Sequence, residues 1–321
     1  MRPGRTGRRG SLTGNFTENT EDLKGSVLGL SAYLLWGAFP LYFKALARVP
    51  APEILAHRII WSAVFLLLFV TVTRAGAELW AIFRDGRTLA ALVCTTLLVS
   101  TNWFVFISAV AAGKVLESSL GYFINPLVSV FLGAVFLKER LSGRQKISIA
   151  LAAVGVTIQT MMMGSLPIIS LTLAFTFGLY GLIRKAARIP AVTGLAVEMM
   201  LTFPAALAYL GYLLARKEAF FLASGTGTDT LLLLAGVITA TPLILYGGAL
   251  NRLRLSTMGI MQYIVPTAHF GLAVFAFGEP FTTGHLVTFA FIWVGLILYT
   301  LDSLGSLQPS TLAAGQAGKL K

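Results

Sequence analysis

Charge is what this sequence has least of. Of its 321 residues 12% are charged and 56% hydrophobic, and the mean hydropathy is +0.79. Soluble domains carry about 25% charged residues, so this composition belongs to a chain bathed in lipid. Cysteine is almost missing as well. Cys94 stands alone inside an apolar stretch, which excludes a disulfide framework and a thiolate metal site. There is no H-E-x-x-H, no histidine pair with a carboxylate at ligand spacing and no G-x-S-x-G, so neither a zinc nor a serine hydrolase can be assigned. No G-x-x-x-x-G-K-[ST] occurs to supply ATP energy through a P-loop. No catalytic residue, metal ligand or cofactor is therefore expected.

Long apolar runs are what the chain does have. About 20 apolar residues span a ~30 Å hydrocarbon layer. Ten stretches meet that standard: 26–46, 53–74, 88–112, 115–137, 144–163, 165–183, 190–214, 230–250, 256–277 and 284–304. The expected fold is an all-α polytopic membrane protein of ten transmembrane helices. A disordered basic tail over 1–24 precedes them and a second tail over 305–321 follows. The formal charge of +12 would suit a nucleic-acid binder, but its placement does not. With the N-terminus set in the cytoplasm, 19 of the 25 Lys and Arg lie in the tails and in the loops after spans 2, 4, 6 and 8. That is the positive-inside pattern of a chain with both termini cytoplasmic.

The chain also matches itself at a shift of 140 residues. Pro50-Ala51 meets Pro190-Ala191, Pro126 meets Pro266, Glu139 meets Glu279 and Val154-Gly155 meets Val294-Gly295. Two repeats are expected, 25–163 and 164–304, of five spans each. An odd number of spans puts the second repeat in from the opposite side, the inverted architecture of many secondary transporters. The loops agree. KERLSGRQK after span 4 carries Lys138, Arg140, Arg144 and Lys146, whereas GEPFTTGHL after span 9 carries no Lys or Arg.

Inverted-repeat carriers place their site near the midplane, where helices are often broken. Pro126 and Pro266 fall about halfway along spans 4 and 9 and mark candidate hinges. Each should leave the carbonyl four residues back, on Tyr122 and on Gln262, without its helical partner, which is tolerated at that depth only beside protein or a wet cavity. Tyr122, Asn125, Gln262 and Tyr263 flank the two breaks as cavity candidates. Prolines that merely kink the packing are the alternative.

Intramembrane charges give the second set of candidates. Arg58 in ILAHR and Glu198 in GLAVE occupy equivalent repeat positions, entered from opposite sides. About 12 Å of depth then separates them, so they read as two oppositely charged stations on one path. Arg58 snorkelling to the headgroups is the alternative. Glu198, His57 and Glu117 are the candidate proton carriers, although Glu117 follows Lys114 by three residues and fits a surface pair equally, as His57 does with Glu53. Trp61, Asn102, Trp103 and the mid-span His269 complete the cavity set. Spans 5 and 10 read as peripheral helices facing lipid or a second copy of the chain.

The segments AYLLWGAFPLYFK, EILAHRIIWS, ESSLGYFINPL, GSLPIISLTLAFTFGLYGLIRK and RLRLSTMGIMQYIVPT resemble RarD-type, EamA-domain members of the drug/metabolite transporter superfamily, from about Gly25 to Asp302. The resemblance implies two inverted five-helix repeats around a central cavity, a bacterial inner membrane, and movement of small organic molecules, usually outward. His269 falls outside the family's pattern. The leading expectation is secondary transport by alternating access. An intramembrane enzyme acting on a hydrophobic substrate, and a passive channel or regulatory membrane protein, are the competing readings.

Overall fold

The computed structural model describes residues 11–136, 138, 141–164, 166–187, 189–250, 252 and 261–305. Among these every regular element is helical. The helices are α1 (Ser11–Gly37), α2 (Phe39–Ala45), α3 (Ala51–Val72), α4 (Gly76–Arg84), α5 (Gly86–Ala111) and α6 (Val115–Phe136). Then follow α7 (Gly143–Met163), α8 (Ile168–Ala186), α9 (Ala191–Arg216), α10 (Thr226–Leu250), α11 (Ile264–Gly271) and α12 (Thr283–Gly305), with a π-helical turn, Leu272–Ala276, directly after α11. α1 begins inside the segment expected as a tail. Residues 1–10 and 306–321, Glu139 and most of the RLRLSTMGI segment lie outside the described residues.

Seven helical stretches are long and apolar enough to cross a membrane: Leu23–Ala45, α3, α5, α6, Val192–Arg216, Thr226–Tyr246 and Thr283–Asp302. Ten were expected. Ile168–Arg184 and Ile264–Ala276 are apolar but shorter among the described residues, and α7, 21 residues long, is not one of the seven.

Local chemistry sets the helix ends. α3 opens on Pro50-Ala51-Pro52, where a missing N–H costs nothing because first-turn donors have no helical partner. Asp85 caps α5, accepting from the N–H groups of Arg87 (3.2 Å) and Thr88 (3.4 Å) and from the Thr88 hydroxyl. These bonds hold its exposed carboxyl below its ordinary pKa, the Thr88 hydroxyl contributing most. α7 has a capping box, Ser142 with Gln145. α5 stops at Gly113, whose φ of +69° lets the Lys114 N–H reach back 2.8 Å to the Ala109 carbonyl.

Packing brings distant parts of the chain together. α3 lies against both α9 and α10, α5 against α8, α10 against α1, α6 against α8 and α11, and α7 against α12. The α3–α10 contact depends on Gly236. A Cβ there would overlap the backbone and Cβ of Trp61. Contacts between chain ends also define the two ends of the bundle. Glu53 at the start of α3 meets the loop after α9, and Glu279 after the π turn meets the start of α6. At the opposite end Ser142 donates to Asp302 at 2.7 Å.

Candidate functional site

Arg58 lies two turns into α3 and is 2% exposed. It does not snorkel. Its Nε donates to Thr239 Oγ1 of α10 at 3.1 Å. Its guanidinium carbon sits 4.4 Å from the Trp103 ring centre, 5.1 Å from that of Phe43 and 5.8 Å from that of Phe39. Arg58 forms no ion pair among the described residues, and its buried Nη1 has no hydrogen-bond partner there. The titratable groups close enough to act on its charge are the phenols of Tyr42 and Tyr122.

The rings continue inward. Phe43 meets Phe106 edge-on at 5.8 Å, Phe106 stacks on His269 at 5.3 Å, and Tyr122 lies 5.7 Å from both. Tyr122 Oη donates to Asn102 Oδ1 at 3.3 Å, and Asn102 Nδ2 donates across to Leu173 O (3.0 Å) and Thr176 Oγ1 (2.9 Å) of α8. His269 Nε2 is 3.1 Å from the Trp36 carbonyl, so that nitrogen carries the hydrogen. Its Nδ1 is buried without a partner among the described residues. Asn125 donates to Ala174 O at 3.2 Å. Arg58, Trp103, Asn102, Tyr122 and His269 thus share one cluster.

Glu198 anchors a second cluster and is fully buried. Its Oε2 lies 3.2 Å from Arg184 Nη1 and accepts from Tyr180 Oη at 3.3 Å, while Oε1 accepts from Thr95 Oγ1 at 2.6 Å. Arg184 Nη2 donates to Pro190 O at 2.7 Å. Arg184 is the residue that sequence reasoning missed, having placed it in the loop after span 6 as a topology charge. The available signal was Glu198 itself, since a buried carboxylate demands a cation.

The other candidates divide. Trp61 Nε1 donates to His57 Nδ1 at 3.1 Å, and the imidazole packs 4.7 Å from the Phe221 ring. Its Nε2 is buried and has no partner among the described residues. Glu53 does not pair with His57. Its carboxylate accepts the N–H groups of Phe220 and Phe221 at 3.1 and 2.9 Å, and Glu279 likewise accepts those of Val115 and Leu116 at 2.7 and 2.8 Å. Glu117 is half-buried and pairs with Lys114 at 3.5 Å, at the start of α6 and outside the Arg58 cluster.

Pro126 sits within α6, which continues through it. Pro266 departs from expectation, because α11 begins only at Ile264 and the proline falls in its first turn. The Gln262 carbonyl is not left empty, since the Val265 N–H donates to it at 3.2 Å, and the Pro266 carbonyl takes the Ser119 hydroxyl at 2.8 Å. The half-buried Gln262 precedes Tyr263, which lines a shallow open groove with Ile264, Thr267 and Ala268. No charged side chain among the described residues lines that groove, so the Arg58 cluster is the stronger candidate site.

The sequence of known proteins now bears on this arrangement. The EamA-like transporter family matches residues 23–161. An uncharacterized transporter of Vibrio cholerae is 44% identical over 281 residues, covering 88% of this chain and 93% of that protein. This chain is a RarD-type member of the EamA-like transporter family, within the drug/metabolite transporter superfamily. The RarD protein of Escherichia coli is 42% identical over 88% of this chain and 95% of its own length. The uncharacterized transporter YojE of Bacillus subtilis is 44% identical over 89% and 97%. One solved crystal structure superposes with a TM-score of 0.57 at 18% identity, covering 87% of this chain and 98% of that one, and it supports the fold alone. The RarD-type chain is a multi-span helical membrane protein of a bacterial transporter family, which implies an inner-membrane location, a small-molecule substrate and a lipid surround.

Proposed function

We propose that this RarD-type protein is a secondary transporter of small organic solutes, usually exporting them, that works by alternating access around Arg58. The observation that carries this reading is an isolated cation in an aromatic cluster that is closed off from both ends. At the Glu53 end, carboxylates bond the backbone of a distant segment twice, Glu53 on Phe220 and Phe221 and Glu279 on Val115 and Leu116. At the Glu198 end, Thr95 of α5 bonds Glu198 of α9. Opening one set while the other holds would expose the cluster to one side at a time.

The inverted repeats, 25–163 and 164–304, belong to this proposal, as do the ten crossings and the cytoplasmic termini. Helix contacts support them. α3 packs on α10 as α9 packs on α5, and α5 on α8 as α10 on α1. The contacts of α3 with α9, α6 with α11 and α7 with α12 are those an internal two-fold axis would require. Proton coupling would use Glu198 or His57. Protonating Glu198 would loosen its bonds to Arg184 and Thr95, and protonating His57 at Nδ1, which accepts from Trp61, would break that bond. The test is counterflow in proteoliposomes with a panel of labelled metabolites and antibiotics. Saturable uptake stimulated by unlabelled solute inside, without ATP, is expected. Flux that rises linearly and ignores the trans side would replace the carrier with a channel.

A further inference from the structure

Resting on that reading, we infer that Arg58 is the anchor for a carboxylate, and that the transported solute is a monocarboxylate with an aromatic or branched apolar body. A guanidinium offers five N–H donors in a rigid fork that matches a carboxylate with two parallel bonds. Here the protein engages one of them, at Nε, through the neutral hydroxyl of Thr239. The buried Nη1 has no partner, and Arg58 has no ion pair among the described residues. A protein that needed Arg58 only for packing would answer its charge, as it answers Glu198 with Arg184, Tyr180 and Thr95. The contrast lies within one bundle. One buried charge is fully met, the other has a donor edge left over.

The number of charges points to the class of anion. No second Lys or Arg stacks on the rings that hold Arg58 among the described residues, so the site suits one negative charge rather than a phosphate dianion. The walls define the rest of the solute. Phe39, Phe43 and Trp103 surround the guanidinium, and Phe43 leads to Phe106, Tyr122 and His269. Such faces accept an apolar or aromatic body.

The test uses the full-length protein in detergent at neutral pH. Thermal unfolding is followed with benzoate, phenylacetate and indole-3-acetate, each beside its neutral amide, in sulfate and in chloride buffers. At least one carboxylate should raise the midpoint saturably where its amide does not. Arg58→Gln should abolish that response while the unliganded variant melts no lower than wild type, because a charge without a counter-ion has been removed. Arg58→Lys should weaken the response at least tenfold, since a point charge cannot make the two-bond contact. If no carboxylate outperforms its amide in wild type, the inference is wrong, and this arm stands even if a variant fails to fold. It is equally wrong if chloride stabilises as well as any carboxylate, or if Arg58→Gln keeps the full response. Counterflow separates the two proposals. Trans-stimulated flux of neutral solutes unaffected by Arg58→Gln would retain the carrier and overturn the carboxylate, whereas carboxylate binding with no counterflow would retain the site and overturn the carrier.

Discussion

A guanidinium ringed by aromatic faces is only partly compensated. Each cation–π contact contributes about 0.5–2 kcal/mol, and Thr239 adds one hydrogen bond. Removing an ion from water still leaves a penalty of several kcal/mol after relaxation. Arg58 therefore keeps a donor edge at Nη1, unpartnered among the described residues, that an anion would use. Arg58→Ala should reduce counterflow to background while the protein remains monodisperse by size exclusion. Normal transport by that variant would remove Arg58 from the site. Glu198 presents the opposite case. Breaking a buried pair by removing one partner costs about 3–5 kcal/mol, because the other charge is left uncompensated. Glu198→Gln and Arg184→Gln should each lower the melting midpoint clearly, and the double variant should lower it less than the two singles combined. Additive losses would show that the 3.2 Å pair is not energetically coupled.

At the scale of the helix, small residues decide which surfaces meet. Gly236 lets α10 approach the backbone of α3 at Trp61, where even one methyl group has no room. Gly236→Ala should destabilise the protein by about 1–3 kcal/mol, the usual range for overpacking. Gly211 in α9 is the control. Nothing lies within 4 Å of a Cβ added there, so Gly211→Ala should leave stability unchanged or raise it by up to about 1 kcal/mol through helix propensity. Equal effects at both positions, read from thermal unfolding in one detergent, would contradict the packing account. The elements that sequence patterning located well were those with long unbroken apolar runs, such as α3, α5 and α6. Those it located poorly have causes that are not periodic. Pro266 was expected in mid-helix from the length of the apolar run, yet the helix starts at Ile264, and the Val265 N–H takes the Gln262 carbonyl that a mid-helix proline would have orphaned. Arg184 was hidden because a cation at the end of an apolar run looks like a topology signal until its partner's position is known.

Across the whole molecule, Gly155 and Gly295, set against each other at the 140-residue shift, both lie where α7 meets α12. A Cβ on Gly155 would lie 3.2 Å from the Thr288 carbonyl oxygen of α12, and one on Gly295 3.0 Å from the Ser148 carbonyl oxygen of α7. α7 and α12 therefore cross closely at both glycines, while Ile147, Val154, Val294 and Ile297 remain exposed on their outer faces. Those faces suit lipid or a second copy of the chain, the two readings of spans 5 and 10. The candidate site was legible as residue types, because a buried Arg, Asn or His in an apolar run must face the interior. Its grouping was not, since Arg58 is joined to Trp103 and Thr239 by packing between helices far apart in the chain.

The alternating-access account is tested most directly by measuring distances across both ends of the bundle in lipid nanodiscs. Spin labels would be placed on cysteines at Arg48 and Ser224 near the Glu53 end, and at Arg87 and Ala186 near the Glu198 end, in a Cys94→Ala background. The account predicts two populations at each end, with opening of one accompanied by closure of the other and the balance shifted by Glu53→Gln or Thr95→Val in opposite directions. A single distance at both ends, unmoved by either substitution, would contradict it.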